Sequence, residues 1–496
     1  MTDAGSRGFT SGYLLRASPM RRINSFRSMN RARRMNNLNA KSITELAELV
    51  RTHQASPIEI MQAHLDRIEQ INPTLNALVT LAPNLLEQAT EADSAVMRGD
   101  KLGLLHGVPL TIKDTIETAG LRTTSGSMMR ADFVPTRDAQ AVARLKAAGA
   151  IILGKTNAAE MAMDYTADNP VFGRTNNPHN PLLTPGGSSG GEAAAIATCM
   201  SAGGLGSDLA GSIRIPSHFC GVVGLKPTVG RLPGDGQFPP SAGPYSLGAV
   251  IGPMARNAGD LKLLFTVLAG FETEGNAALN RQRGSRVGFY TDDGVSPVTA
   301  ETRQAVETAA RALSDAGFVM EEVRPPGVER GHELWLKLFS RASVVQLRNV
   351  YEGYEEQGGD FVRWRLATAD DTPPPSLDDY INVWLERDRL RETLVDWLND
   401  TPLIIAPVGA TPAYEHGTLK LRVGEQTMST FRAFSYCQTF NVFDLPVVVI
   451  PVANSNDGLP IGVQIVGRPF AEADVLDAAA IIEEAVGGWQ PPVYTR

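Results

Sequence analysis

Along this chain, apolar residues alternate between helical spacing and short unbroken runs, and the polar residues between them mark where elements begin and end. Ser42 to Glu45 and Ser56 to Glu59 each place a hydroxyl three residues before a carboxylate, the reciprocal cap that opens a helix. Pro57 suits the first helical position, where no N–H is needed. In the second segment Ile58, Met61, Leu65 and Ile68 recur at helical spacing, and Asn72-Pro73 is expected to end the helix. His64, beside that stripe, is expected on the helix surface. A strand at 77–81 and a charged helix to about Arg98 follow. The run 108–112 is apolar except for Thr111 and too short for a helix, so it reads as a buried strand ending at Lys113. Residues 138–149 read as an amphipathic helix and 151–153 as the next strand, with Gly154 to Asn157 at the strand end where α/β folds build sites. Alternation of this kind predicts an α/β protein.

Residues 185–230 break the pattern. Two serine-bearing glycine loops, Pro185-Gly-Gly-Ser188-Ser189-Gly-Gly and Asp208-Leu-Ala-Gly-Ser212-Ile-Arg214, flank an alanine-rich run at 192–202 whose composition favours helix. Glycine beside serine permits positive φ and lets a ligand approach main-chain N–H groups. One such loop is usually a tight turn; two together suggest amides displayed toward negative charge. A nucleotide loop is disfavoured, because no Gly-Lys-Ser/Thr follows and no GxGxxG lies between a strand and a helix.

Beyond residue 271 the signals are less specific. Strands are expected at 286–290 and 318–323, either side of a helix at 298–316. Residues 334–354 and 377–398 read as helical, with 369–375 as a loop between them. This mostly helical region, about 325–400, is expected to cap a cleft and govern access. Trp335, Trp364, Trp384 and Trp397 are expected to pack in the core.

Composition narrows the classes. With 496 residues and 43 % hydrophobic content, the chain is long enough for a large core in one big α/β domain or two smaller ones. Cys199, Cys220 and Cys437 are few, odd in number and widely spaced, which argues against a disulfide framework or zinc site. The seven histidines form no HExxH pattern, so no metal is implied. Residues 1–38 carry eight arginines against one aspartate, while the whole chain is at −8. The body is therefore acidic, which disfavours nucleic acid as a partner. The basic arm reads as a disordered extension, a basic tail or an organelle transit segment, and Met20, Met29 and Met35 offer later starts. No 18-residue apolar stretch predicts a membrane span, and the expected location is cytoplasmic, with organelle targeting left open by the arm.

The motifs resemble those of the amidase signature family, serine hydrolases that cleave carboxamide bonds. The resemblance rests on the two serine loops, 24 residues apart from Ser188 to Ser212, on Val108 to Ile116 around Lys113, and on the segments 154–160, 169–181 and 219–231. It extends to the strand-like runs 402–408, 445–452 and 458–467, and so covers roughly 39–496, with the signature core at about 105–255. It implies a large central mixed twisted β-sheet flanked by helices. It also implies a triad: Ser212 as nucleophile, Ser188 on a cis peptide and Lys113 as base, with backbone N–H groups of Leu209, Ala210, Gly211 and Ser212 forming an oxyanion hole. Ser189, Asp208 and Arg214 would hold the loops in shape, the last two as an ion pair.

Read from the residues alone, Lys113 has two fates. Surface pairing with Asp114 or Glu117 would leave it an ordinary cation, whereas burial at the strand end would lower its pKa and free the amine as a base. The resemblance favours the second. The implied reaction is hydrolysis of amides, anilides, aryl esters or carbamates through a Ser212 acyl-enzyme, with a small-molecule substrate and no cofactor. The alternatives are an amidotransferase A-type subunit that releases ammonia from glutamine, from which residues 246–254 depart, and a non-catalytic binding protein. Two positions depart from the family pattern: Ala210 stands where glycine is commoner and Ser207 where threonine is. The oxyanion role at Ala210 requires negative φ there.

Overall fold

The computed structural model describes residues 38–270, 284–371 and 373–492. The basic arm, except for Leu38, lies outside them. Strands run in chain order as β1 (Leu78–Leu81), β2 (Pro109–Lys113), β3 (Ile151–Thr156), β4 (Gly203–Asp208), β5 (Val223–Lys226), β6 (Val250–Ala255), β7 (Arg286–Phe289), β8 (Val319–Glu322) and β9 (Leu403–Pro407). A separate ribbon, β10 (Lys420–Val423) with β11 (Gln426–Ser429), precedes β12 (Val447–Asn454) and β13 (Pro460–Gly467). Eleven of these form one sheet in the order β1-β3-β2-β4-β6-β5-β12-β13-β9-β7-β8. It is mixed: β2 runs parallel to β3 and β4, and β7 to β8 and β9, while the central pairs are antiparallel. The expected α/β fold with a large mixed sheet is thus the one observed.

Strand periodicity decides which side chains meet which layer. In β3, Ile152 joins the core cluster built on helices Ala258–Ala269, Ala300–Asp315 and Glu472–Val486, while Ile151 and Leu153 join the opposite cluster around helix Gly190–Ala197. In β2, Leu110 and Ile112 point into the first cluster. Thr111 and Lys113 therefore face the second layer, where both serine loops lie. Burial on both faces explains why β9 reads as a continuous apolar run and why β2 and β13 break theirs only at Thr111, Lys113 and Gln464 rather than alternating.

Both capping boxes form, on helices Ile43–Arg51 and Pro57–Leu75. The second helix nevertheless continues past Pro73, which lies in its last turn and removes only one N–H near the end. It stops at Asn76, in the left-handed region (φ 54°), whose N–H bonds to the Asn72 carbonyl at 2.7 Å. His64 is fully buried rather than on the surface. Its Nδ1 meets the Ile60 carbonyl at 2.9 Å, and burial pushes its pKa down to about 4. The alanine-rich helix is shorter than expected, Gly190–Ala197, because the chain turns through Cys199 at φ 60°. The expected helix at 334–354 divides into Gly331–Trp335, a π-helical turn Leu336–Ser340 and Arg341–Tyr351. Trp335, Trp384 and Trp397 pack against core side chains, but Trp364 is 57 % exposed. The expected strands and helix around residues 286–323 appear as β7, β8 and Ala300–Asp315, and 377–398 as Leu377–Asp400.

Candidate active site

Lys113 ends β2 with its side chain wholly buried, and its Nζ donates to Ser188 Oγ at 2.7 Å and to Ser207 Oγ at 2.9 Å. Surface pairing with Asp114 or Glu117 is therefore not the arrangement adopted. Burial lowers the Lys113 pKa to about 7, against the opposing pull of Asp208 and Glu192. Burial thus favours the uncharged amine, with its lone pair, far more than at an exposed lysine.

Ser188 follows a cis peptide from Gly187. A Cβ at Gly187 would collide with the Thr166 carbonyl oxygen, so the close approach of these segments requires glycine. Ser189 N–H donates to the Ser212 carbonyl at 3.1 Å, and its Oγ lies 3.4 Å from both the nitrogen and the oxygen of Ser207. This joins the two serine loops.

The second loop is fixed from outside. Trp335 Nε1 donates to the Leu209 carbonyl at 2.9 Å, and Tyr165 OH to the Ala210 carbonyl at 2.7 Å. Ala210 is absent from the positive-φ residues, whereas Gly211 sits at φ 113° with Cys437 Cβ 2.7 Å from where its own Cβ would be. Alanine therefore fits at 210 and glycine is needed at 211. One expected donor points elsewhere: Gly211 N–H bonds to Asp208 Oδ1 at 2.9 Å. That carboxylate claims it, which leaves Leu209, Ala210 and Ser212 as the N–H groups of the expected oxyanion set.

Asp208 and Arg214 form a two-point pair, Nε to Oδ2 at 3.1 Å and Nη2 to Oδ1 at 2.9 Å, with both side chains fully buried. Burial alone would raise the Asp208 carboxyl, but the Arg214 charge and hydrogen bonds from Arg214, Asn441 and Ile213 outweigh it and hold it well below the usual carboxylate range. Arg214 also donates to the Cys437 carbonyl at 2.8 Å and to Gln464 Oε1 at 2.7 Å, tying the loop to β13. Removing one partner of such a pair leaves a bare buried charge. Arg214→Leu is therefore expected to cost about 3–5 kcal/mol of stability, measured by urea unfolding; a loss below about 1 kcal/mol would mean that the pair holds nothing in place.

Ser212 is 7 % exposed and shares a small cavity, about 50 Å³, with Ser188, Ser207, Asp208 and Leu209. Of the two contacts in a lysine-serine-serine relay, the first is a hydrogen bond, and the second is shared lining of one cavity without a hydrogen bond between Ser188 and Ser212. Sequence reasoning missed two members of this neighbourhood. Ser207 was noticeable only as a departure from threonine, yet a hydroxyl is what Lys113 contacts. Glu192, an acid inside an alanine run, accepts from Thr111 Oγ1 at 2.5 Å and Thr156 Oγ1 at 2.7 Å beneath the lysine. Burial raises its pKa to about 7, opposed by those threonines and by Lys155 and Lys113. No cluster that could hold a metal ion occurs among the described residues, and no helix there is long and apolar enough to cross a membrane. Cys199, Cys220 and Cys437 are all buried free thiols.

Comparison with known proteins gives concordant matches. The family model described as Amidase matches residues 59–476. The chain is 32 % identical over 479 residues to the A-subunit of the glutamyl-tRNA(Gln) amidotransferase of Thermosynechococcus vestitus, covering 89 % of this chain and 97 % of that one. It is 30 % identical over 483 residues to human fatty-acid amide hydrolase 2, covering 90 % and 89 %. Among solved structures, a bacterial aryl acylamidase of the amidase signature family superposes with a TM-score of 0.79 at 26 % identity, covering 90 % of this chain and 96 % of that one.

Proposed function

This chain belongs to the amidase signature family, and from that premise we propose that it hydrolyses carboxamide-type C–N bonds through an acyl-enzyme on Ser212. The observation that carries the reading is the 2.7 Å approach of Nζ of a buried lysine of lowered pKa to Ser188 Oγ, a contact in which the hydroxyl donates once the amine is neutral, on the wall of the cavity that Ser212 enters. The neutral Lys113 amine takes the Ser188 proton as Ser188 takes that of Ser212, and the Ser212 oxygen attacks the carbonyl. This chain of groups does what an imidazole does in other serine hydrolases. Backbone N–H groups of Leu209, Ala210 and Ser212 receive the oxyanion, each worth about 2.7–4 kcal/mol in comparable sites. Run in reverse, the relay protonates the departing amine, and water then releases the acyl group. Residues 39–496 form the catalytic unit, with the helices of about 325–400 as its cap.

A second reading draws on the amidotransferase relative: release of ammonia from glutamine for transfer within a complex. Product release from a panel separates the two: amine from an aliphatic amide, an anilide and an aryl carbamate, phenol from an aryl ester, and ammonia from glutamine. Turnover of anilide or carbamate supports the hydrolase, and release from glutamine alone supports the second reading. Silence on every substrate, together with failure of a serine-reactive phosphonate to label Ser212, would leave a binding protein.

A further inference from the structure

Two amide side chains on the wall of the catalytic cavity, Gln237 and Gln346, have buried carbonyl oxygens with no hydrogen-bond donor among the described residues. Buried polar atoms are normally paired, and an orphan acceptor beside a nucleophile invites a donor from the substrate. For Gln346 the orientation is fixed. Its Nε2 donates to the Pro240 carbonyl at 2.9 Å; a carbonyl cannot accept from Oε1, so the oxygen is the atom left free. Among the described residues no such partner fixes the amide of Gln237.

Gln346 also marks a boundary. It and Tyr245 line both the cavity at Ser212 and an adjoining groove of about 720 Å³. That groove is walled largely by apolar groups, among them Pro240, Val345, Pro374, Leu377 and Tyr380, and its charged residue, Arg341, already donates to the Ala369 carbonyl at 3.1 Å. Its size is that of a site for a drug-sized ligand.

Building on the hydrolase reading above, we propose that Gln346 Oε1 accepts the N–H of a secondary amide or carbamate and that the adjoining groove holds the apolar substituent on that nitrogen. The donor that an amide brings to its scissile bond is its N–H, which belongs to the leaving amine. Pairing it with Gln346 sends the nitrogen's substituent toward the groove and leaves the acyl group on the far side of Ser212. In a trans amide the N–H points away from the carbonyl oxygen, which suits a cavity lined both by an acceptor from helix Arg341–Tyr351 and by the oxyanion loop that follows β4. The substrate class that follows is N-aryl or long N-alkyl amides and carbamates, rather than primary amides.

The test uses one acyl group presented as its anilide and as its phenyl ester, which keeps the ring but replaces N–H by oxygen. Gln346→Leu is expected to lower the anilide-to-ester ratio of kcat/KM about tenfold, and Gln346→Glu, which still offers an acceptor oxygen, to retain more of that ratio. In the wild type, lengthening the substituent on nitrogen is expected to raise kcat/KM more than lengthening the acyl chain. An unchanged ratio in Gln346→Leu, the same fall produced by Gln237→Leu instead, or a preference for long acyl chains would each overturn the assignment. Loss of ester turnover in Ser212→Ala reports separately on the hydrolase reading, so failure of one is distinguishable from failure of the other.

Discussion

Ser212→Ala is expected to lower turnover by roughly 10⁴-fold or more while the protein remains folded. The proposed reaction needs an oxygen at this position to carry the acyl group, and no neighbouring group substitutes for it: the Ser188 hydroxyl is held by Lys113. What survives is the backbone of the loop. The N–H groups of Leu209, Ala210 and residue 212 persist in the variant, so slow direct attack by water, aided by the oxyanion donors, sets the residual rate. Structure gives the second half of the expectation. The Ser212 side chain makes no hydrogen bond among the described residues and opens onto a cavity, so deleting Oγ leaves no buried partner unpaired and is expected to shift stability by no more than about 0.5 kcal/mol. The measurement pairs amine release with a thermal melt. Retained turnover in a folded variant would remove Ser212 from the chemistry, and lost turnover in an unfolded one would show that the loop depends on this hydroxyl.

How much of this was legible beforehand follows from the range of each interaction. Capping boxes, the β2 run and the serine loops are local, and each appeared where its residues predicted it. The Asp208–Arg214 pair lies six residues apart and was equally readable. Contacts that depend on sheet order were not. Lys113 meets Ser207 only because β2 and β4 are neighbours, and Glu192 lies beneath both strand ends only because its helix packs against β2 and β3. The diversion of Gly211 N–H to Asp208 is likewise a matter of loop geometry that Gly-Ser composition does not encode. His64 shows the limit of periodicity: a helical stripe identifies one buried face, but this imidazole, which lies off the stripe, is fully buried as well. Gln346 is the extreme case, since nothing in its local sequence distinguishes it and only its orphan oxygen at the cavity wall does.

Lys113 supplies the second large effect, and the sign of its pH dependence is fixed by its burial. In the proposed relay the base is the neutral amine, so kcat/KM is expected to rise with pH and level off above an apparent midpoint near 7, the value to which burial lowers this lysine. An ordinary surface lysine, near 10.4, would leave the rise to far more alkaline pH. The groups facing it shape the curve. Asp208, held ionised by Arg214, favours the protonated amine at every pH of interest, while Glu192, itself raised to about 7, titrates in the same range. The observed midpoint therefore belongs to Lys113 and Glu192 together rather than to one residue. Substitution separates charge from basicity. Lys113→Ala removes the proton acceptor and is expected to lower kcat/KM by at least about 10²–10⁴-fold, the usual worth of a positioned base. Lys113→Arg keeps a cation that does not deprotonate in this range, and is expected to be similarly impaired and to lack the neutral limb. Rates measured from pH 5 to 10 on the same anilide provide the check. A rising limb that persists in Lys113→Ala would assign the titration to another group, and full activity in Lys113→Arg would show that position 113 supplies charge rather than a base.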